Sequence, residues 1–186
     1  MIITMGGDPG AGKSTVLKLL EKERFHIISS GEIFRAKAAE LMMTLEEFGK
    51  YVDEHPEVDM KIDDEQNSNA LHYMPSIRDG WAHIDNHCVV DGRMAGKLIY
   101  HADLRVWLTA PIDVRAERIA KREGIDIEEA YESTRMREIS ELVRYKKYYD
   151  RDMRDLSTYS LVVDTTKLSP EQVAKLILDA AFNRRD

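Results

Sequence analysis

A glycine-rich stretch near the start of the chain, GGDPGAGKSTV at residues 6–16, constrains the fold more than any other feature. It contains a glycine, four further residues and then Gly-Lys-Ser, formed here by Gly7, Gly12, Lys13 and Ser14. An apolar run precedes it and an amphipathic run follows, in the strand, loop and helix order that a phosphate-binding loop requires. The alternative is a glycine-rich turn that matches by accident, and the flanking runs argue against it.

The spacing of this motif has a chemical reason. Glycines let successive backbone N–H groups turn inward around phosphate oxygens, and the following helix presents the positive end of its dipole. Lys13 supplies a mobile cation for the β and γ phosphates, and the Ser14 hydroxyl suits Mg²⁺. The sequence therefore predicts a bound nucleoside triphosphate. Its phosphate loop is expected to comprise Gly7, Asp8, Pro9, Gly10, Ala11, Gly12, Lys13, Ser14 and Thr15.

Composition limits the possible partners and the compartment. The chain has 186 residues, enough for one domain with a core, and a net charge of −7 from 27 Lys+Arg against 34 Asp+Glu. This acidity argues against nucleic acid and anionic membranes as partners, so small molecules are expected. The single cysteine, Cys88, excludes an internal disulfide and favours a reducing, cytoplasmic location. We expect a monomer.

Short apolar runs alternate with longer amphipathic ones, which is typical of an α/β fold with a parallel sheet. The predicted strands are 2–5, 25–28, 87–90, 104–108 and 160–163. Capping boxes predict helix starts at Ser29, Thr44 and Ser169, with partners Glu32, Glu47 and Gln172. Residues 63–86 are polar, and we interpret them as a loop-rich insertion.

Arginines distinguish among the classes of phosphate-loop protein. The guanine-reading Asn-Lys-x-Asp motif of a GTPase is absent. A small-molecule kinase instead needs a second anion site, for which arginine forks are suited. Each arginine alone is more often a solvated surface charge. Candidates that a phosphate loop brings into one site are Arg35, Arg93, the pair Arg118 and Arg122, and Arg137 and Arg144, which share a helix face with Glu141.

The order of these motifs resembles nucleoside monophosphate kinases, and most of all the cytidylate kinase type found in archaea. The resemblance covers nearly the whole chain. Besides the phosphate loop, its matching stretches are ISSGEIFR (28–35), TLEEFGKYVDEHPEVD (44–59), VVDGRMAG (89–96), ADLRVWLTAPIDVRAERIAKREG (102–124), REISELVRYKKYY (137–149) and LVVDTTKLSPEQV (161–173).

This resemblance implies a fold and a reaction. The fold is that of phosphate-loop NTPases, a five-stranded parallel sheet of order 2-3-1-4-5 flanked by helices. The whole chain, 1–186, would form one kinase domain, with an acceptor-binding insertion at roughly 30–87 and a mobile lid at roughly 118–150. The reaction would transfer the γ-phosphate of ATP, with Mg²⁺, to CMP or dCMP.

The resemblance also implies roles for particular residues. Lys13 would contact the transferred phosphoryl group, Ser14 would bind the metal, and Asp91 would hold the metal through water. The acceptor nucleotide would be held by Ser30, Arg35 and Arg93, with Glu141 near its sugar. The lid arginines Arg118, Arg122, Arg137 and Arg144 would converge on both phosphate chains.

Several readings stay open at the level of sequence. Met94 replaces the aspartate with which bacterial relatives read cytosine, and Asp8 is an unusual acid for the loop. A metal site at His83 and His87 lacks a third ligand, so surface histidines are favoured. The rival functions are a kinase for another small acceptor, such as UMP, AMP or a non-nucleotide, and a nucleotide-binding regulator without turnover.

Overall fold

The structure is a computed structural model in which residues 1–73 and 87–183 are described. Strands and helices alternate along most of this length. The strands are β1 (Ile2–Gly7), β2 (Phe25–Ser29), β3 (His87–Asp91), β4 (Leu104–Thr109) and β5 (Leu161–Asp164). The helices are α1 (Lys13–Lys22), α2 (Ser30–Glu40), α3 (Leu45–Glu54), α4 (Pro56–Leu71), α5 (Ala95–Leu98), α6 (Ile112–Glu123), α7 (Ile127–Tyr149) and α8 (Pro170–Phe182).

The five strands form one parallel sheet in the order β2-β3-β1-β4-β5, as the resemblance implies. Each predicted strand is present, with ends displaced by one or two residues. Every residue of β1 is buried, because this strand lies at the centre of the sheet with neighbours on both sides. The carboxyl ends of β1, β3 and β4 consequently meet at one edge of the sheet, where α/β folds bind ligands.

Apolar side chains cover both faces of the sheet. On one face, Val16 and Leu20 of α1 and Ile177 of α8 pack with the central strands in a single cluster. On the other face, the β4 side chain Trp107 packs with Tyr145 of α7. The C-terminal third of α7 is therefore packed against the sheet, while residues of its first half, such as Thr134, line the cavity at the carboxyl edge.

Two of the three predicted capping boxes are confirmed. Thr44 and Ser169 each accept a hydrogen bond from the backbone N–H three residues later, and the partner side chains bond back. Ser29 does precede α2, but the prediction of its capping box is wrong. Its hydroxyl instead donates to the Asp91 carboxylate at 3.1 Å, because the neighbouring strand β3 ends beside it.

The prediction of a loop across residues 63–86 is wrong for its first part. Helix α4 continues to Leu71, and residues 74–86, including His83, lie outside the described residues. The helix buries Ile62, Gln66 and Ala70, a face spaced by four residues whose central member is polar. Hydrophobic periodicity therefore gave no helical signal here. In the described part of the chain, no helix is long and apolar enough to cross a membrane.

Two helical glycines provide a test of the packing between α5 and Tyr159, which lies just before β5. A Cβ added at Gly96 would overlap the ring of Tyr159, whereas one added at Gly49 meets nothing within 4 Å. We expect Gly96→Ala to lower the free energy of unfolding by about 1–3 kcal/mol through overpacking. Gly49→Ala should raise it by about 0.5–1 kcal/mol through helix propensity. Urea unfolding measures both, and equal effects would contradict this packing.

Candidate active site

A cavity of about 830 Å³ opens at the carboxyl edge of the sheet. The predicted site residues that line it are Asp8, Pro9, Gly10, Ala11, Gly12, Lys13, Ser14, Thr15, Arg35, Asp91, Arg93, Arg118, Arg122 and Arg137. Four other predicted residues, Gly7, Ser30, Glu141 and Arg144, do not line the cavity. The fold thus gathers side chains from β3, α1, α2, α6 and α7 around one space.

The phosphate loop connects β1 to α1 as the motif requires. Gly10 and Gly12 have φ values of 81° and 95°, in the left-handed region that favours glycine. The Lys13 ammonium donates to the Gly7 carbonyl at 3.0 Å, which folds this side chain back over the loop. Asp8 accepts a hydrogen bond from the Thr109 hydroxyl at 2.7 Å. The unusual acid therefore fastens the loop to the end of β4.

Charges converge on Lys13. Burial lowers the pKa of its ammonium to about 8, and the nearby Asp91 carboxylate acts in the opposite direction. Arg93 and Arg137 lower this pKa further, so three cations share the space. An anion placed among them would relieve both their desolvation and their mutual repulsion.

Asp91 is held at the end of β3 by two neighbours. Ser29 donates to one carboxylate oxygen, and the buried Gln66 amide donates to the Asp91 backbone carbonyl at 2.7 Å and to the Ile28 carbonyl at 3.2 Å. The other carboxylate oxygen, Oδ1, is buried and has no hydrogen-bond partner among the described residues. Gln66 was not predicted from sequence, because a polar residue on a polar helix carries no signal of its own.

The carboxylate of Glu141 lies between two arginines. Its Oε1 accepts from Arg137 Nε at 2.9 Å, and its Oε2 lies 2.9 Å from Arg93 Nη2. The side chains of Glu141 and Arg93 are only 8% and 12% exposed, whereas Arg137 is 65% exposed. The predicted shared face of Arg137 and Glu141 is confirmed, and it meets the loop after β3 through Arg93.

Arg144 continues this face but contacts different elements. It donates to Asp53 of α3 at 3.0 Å, and its Nε lies 3.3 Å from Asp59 Oδ2 of α4. Its guanidinium also lies over the Tyr145 ring, 5.4 Å from the ring centre. The structure therefore places Arg144 between α7 and the α3–α4 helices, away from the phosphate loop.

The opposite side of the cavity is formed by α6 and the loop after β5. Arg118 donates to the hydroxyl and the carbonyl of Thr165 at 3.0 and 2.7 Å. The Thr165 hydroxyl donates onward to the Ala11 carbonyl at 3.0 Å, which links this corner to the phosphate loop. Arg122 lies at the rim, with a side chain that is 63% exposed.

Arg115, which is 5% exposed, was not predicted from the sequence. It donates to the carbonyls of Ala110 and Pro9 at 2.7 and 3.1 Å and forms an ion pair with Glu138 of α7. It thereby joins the phosphate loop to α7. A sequence signal was available, because Arg115 precedes the buried Ile119 by one helical turn and so lies on the inward face of α6.

Comparison with known proteins agrees with this geometry. Residues 2–167 match the model of the cytidylate kinase-like family. The cytidylate kinase of Methanocella arvoryzae is 47% identical over 181 residues, covering 97% of this chain and 96% of that protein. This chain belongs to the cytidylate kinase-like family.

Further relatives extend the similarity across archaea. The cytidylate kinase of Pyrococcus furiosus is 42% identical, covering 100% of this chain and 90% of that protein. The one from Methanocaldococcus jannaschii is 40% identical, covering 98% of each. The chain is thus similar to these family members over nearly its whole length.

Solved structures support the fold. Shikimate kinase from Acinetobacter baumannii has a TM-score of 0.57 at 16% identity, covering 99% of this chain and 94% of that one. A protein from Eubacterium ventriosum has a TM-score of 0.67 at 17% identity, covering 97% and 98%. Both structures share the overall fold of this chain.

Three residues that stand out in the sequence do not line the cavity. Met94 is 2% exposed and packs with Trp107 and Tyr145, so its side chain belongs to the core. Cys88 is also buried, and burial raises the pKa of its thiol to about 12, which fits a core residue and not a nucleophile. His87 lies in β3 beside the Phe25 ring.

Asp63 provides a test of the contact between α4 and α7. Burial raises the pKa of its carboxyl to about 6 from the ordinary 3.8, although a hydrogen bond from Tyr149 and the charge of Arg144 oppose the shift, while Asp59 and Asp64 add to it. The folded state therefore holds this proton more tightly than the unfolded chain does. Its stability should fall as the pH rises from about 4 to about 6, and the cost should persist above that.

We expect Asp63→Asn to remove this cost. At pH 7.5 the variant should be more stable than the parent by roughly 1–3 kcal/mol, and the difference should shrink below pH 5. Thermal unfolding across pH measures this. The exposed Asp64→Asn change on the same helix is the control, and a pH-independent gain in Asp63→Asn would contradict the burial of this charge.

Proposed function

We propose that this protein transfers the γ-phosphoryl group of ATP to CMP or dCMP, giving ADP and CDP or dCDP. Full-length similarity to cytidylate kinases carries the proposal. The geometry supports it, because a phosphate loop and arginines from three other elements line one cavity. Such an arrangement suits the joining of two polyanions in line.

Within this proposal the two helical insertions have separate tasks. Helices α2, α3 and α4 lie between β2 and β3 in the chain and would hold the acceptor nucleotide. The hairpin of α6 and α7 would be the lid over the phosphates. Among the described residues, four ion pairs already join α7 to other parts of the chain, one each from Glu138 and Glu141 and two from Arg144. Closure of this hairpin would exclude water, which otherwise competes for the phosphoryl group.

On the donor side, the phosphate loop would hold the ATP phosphates through its backbone N–H groups, and Lys13 would contact the transferred group. Arg118 and Arg122 border the same space from α6. The turn around Thr165 lies where the adenine would rest, since it lines the cavity beyond the loop.

On the acceptor side, Arg35 and Arg93 would clamp the phosphate of CMP. Ser30 lies next to Arg93, because its hydroxyl is close to the preceding residue, Gly92; a Cβ added at Gly92 would lie only 3.2 Å from that hydroxyl. Arg137 would stabilise the negative charge that spreads over the phosphoryl group during its transfer. The acceptor phosphate already carries a nucleophilic oxygen, so the reaction needs no strong general base.

The site fits a magnesium ion bound together with ATP. The unpartnered Asp91 Oδ1 is a ligand that could act through water, and the Ser14 hydroxyl lines the same cavity. Among the described residues no cluster of three or more His, Cys, Asp or Glu could bind a metal by itself. The ion's remaining ligands would be phosphate oxygens and water, and its charge would offset that of the phosphates.

A panel of acceptors tests the reaction. With ATP and Mg²⁺, we expect CMP and dCMP to give the highest kcat/KM for ADP release, with UMP lower and AMP and shikimate lower still. A coupled ADP assay measures all of them. If another acceptor had a higher kcat/KM, the assignment of CMP as substrate would be wrong. If the protein bound ATP but no acceptor stimulated ADP release, the alternative of a nucleotide-binding regulator without turnover would be favoured.

Two substitutions should separate the roles of the cations. Lys13→Ala removes a charge aimed at the moving phosphoryl group, so kcat should fall by roughly 10²- to 10³-fold. Arg93→Ala should chiefly raise the KM for CMP, since the acceptor phosphate is charged before and during transfer. Arg154→Ala, an exposed arginine paired with Asp152, is the control. Damage by Arg93→Ala that is confined to the KM for ATP would refute its role.

A further inference from the structure

To select cytosine over uracil, the protein needs a hydrogen-bond acceptor at the position where cytosine has an amino donor and uracil has a carbonyl acceptor. Cytosine presents an amino donor at N4, whereas uracil presents a carbonyl acceptor at O4, and carboxylates are among the side chains that accept from the cytosine amino group. A carboxylate accepts but never donates when ionised, so one that lies close to the acceptor-phosphate arginines with unused acceptor positions would favour cytosine over uracil.

Helix α7 indicates where to look for this carboxylate. Glu141 marks the acceptor-phosphate corner through its contact with Arg93. Arg144 follows three residues later, about 4.5 Å further along the helix axis. A nucleotide whose phosphate lies at Arg93 would place its sugar and base along this direction. Arg144 faces carboxylates from α3 and α4 at this point.

Three aspartates lie close to this part of α7, and their contacts differ. Asp63 already accepts a hydrogen bond from Tyr149. Asp53 accepts one from Arg144 and is 52% exposed, so water competes for it. Asp59 is only 15% exposed and has an ion pair with Arg144 but no hydrogen bond within the described residues.

The electrostatics connect Asp59 to the acceptor site. Burial raises the pKa of the Asp59 carboxyl above its ordinary value, the charge of Arg144 opposes this shift, and Asp53 and Glu141 add to it. Asp59 is therefore close enough to Glu141 to experience its charge. Both Asp59 Oδ2 and Arg144 Nε are buried without a hydrogen bond, although 3.3 Å separates them. A carboxylate has about four acceptor positions. Most of those on Asp59 are therefore unused, in a place that is largely shielded from water.

We infer that Asp59 selects the acceptor base by accepting a hydrogen bond from the N4 amino group of cytosine, while the ion pair with Arg144 orients the carboxylate and favours its charged form. This inference rests on the proposed function. Uracil would place its O4 acceptor against the same oxygens and leave both groups unpaired, and such a mismatch in a desolvated site is strongly rejected. The Met94 side chain is in the core, so it does not compete for this role.

The test is the acceptor preference of Asp59→Asn, measured as kcat/KM for CMP and UMP and as Kd for both by calorimetry without ATP. The asparagine amide can donate to uracil O4, so the CMP/UMP ratio should fall at least tenfold in both measurements. Asp53→Asn, which removes the same charge from the same arginine, should leave the ratio unchanged. Asp59→Glu, which keeps a carboxylate, should retain the preference for CMP.

The outcomes discriminate clearly. If Asp59→Asn weakens CMP and UMP equally, or Asp53→Asn shifts the ratio as much, Asp59 is only a structural partner of Arg144 and the inference is wrong. If Asp59→Asn does not fold, Asp59→Ser is the replacement, and it must also lose the preference for CMP. Failure of the proposed function would be seen separately, as a parent protein that does not phosphorylate CMP.

Discussion

The site depends on one electrostatic constraint, which is that several cations must remain together in a cleft of an acidic protein. Lys13, Arg93 and Arg137 repel one another, and burial penalises the charged form of Lys13. The fold offsets this with fixed carboxylates. Asp91 faces Lys13, and Glu141 holds both arginines at 2.9 Å. Removing one carboxylate would leave desolvated charge behind, which costs more than the pair itself contributes.

Helix α7 supplies much of this compensation, and its periodicity explains how. Glu138, Glu141 and Arg144 follow one another at intervals of three residues, so they lie along one side of the helix. Each pairs with a different element, namely Arg115 behind the phosphate loop, Arg93 after β3, and the aspartates of α3 and α4. One rigid helix thus fixes the spacing between the donor and acceptor sides.

Sequence alone predicted the frame of this arrangement well and its partners poorly. The phosphate loop and the five strands were accessible, because glycine spacing and apolar runs are local signals, and the strand order followed from the family resemblance. The contacts of Gln66, Arg115 and Asp59 depend on residues far away in the chain, such as the Ile28 carbonyl. No local pattern distinguishes such a buried polar residue from a solvated one. For the same reason, the polar second half of α4 was predicted to be a loop.

The capping prediction at Ser29 shows the same limit from the other direction. Its spacing to Glu32 satisfied the rule for a capping box, yet β3 ends alongside β2 and offers Asp91 as a competing acceptor. A tertiary hydrogen bond replaced a local one at the corner where the acceptor phosphate would bind. Predictions from local sequence patterns, such as capping boxes, therefore fail most often at functional sites, where the side chain is engaged in other contacts.

The pairing of arginines with carboxylates also bears on turnover. An arginine that already has an anionic partner gains less from phosphate than an unpaired one would, because binding must replace or share an existing ion pair. Affinity for the acceptor is thereby moderated, while the guanidinium forks stay oriented for the transition state. Interactions that bind substrate and transition state equally do not raise kcat, so weakening them raises the KM for the acceptor without lowering kcat. In the proposed reaction, Glu141 would therefore act through the electrostatics of Arg93 and Arg137, between which it lies.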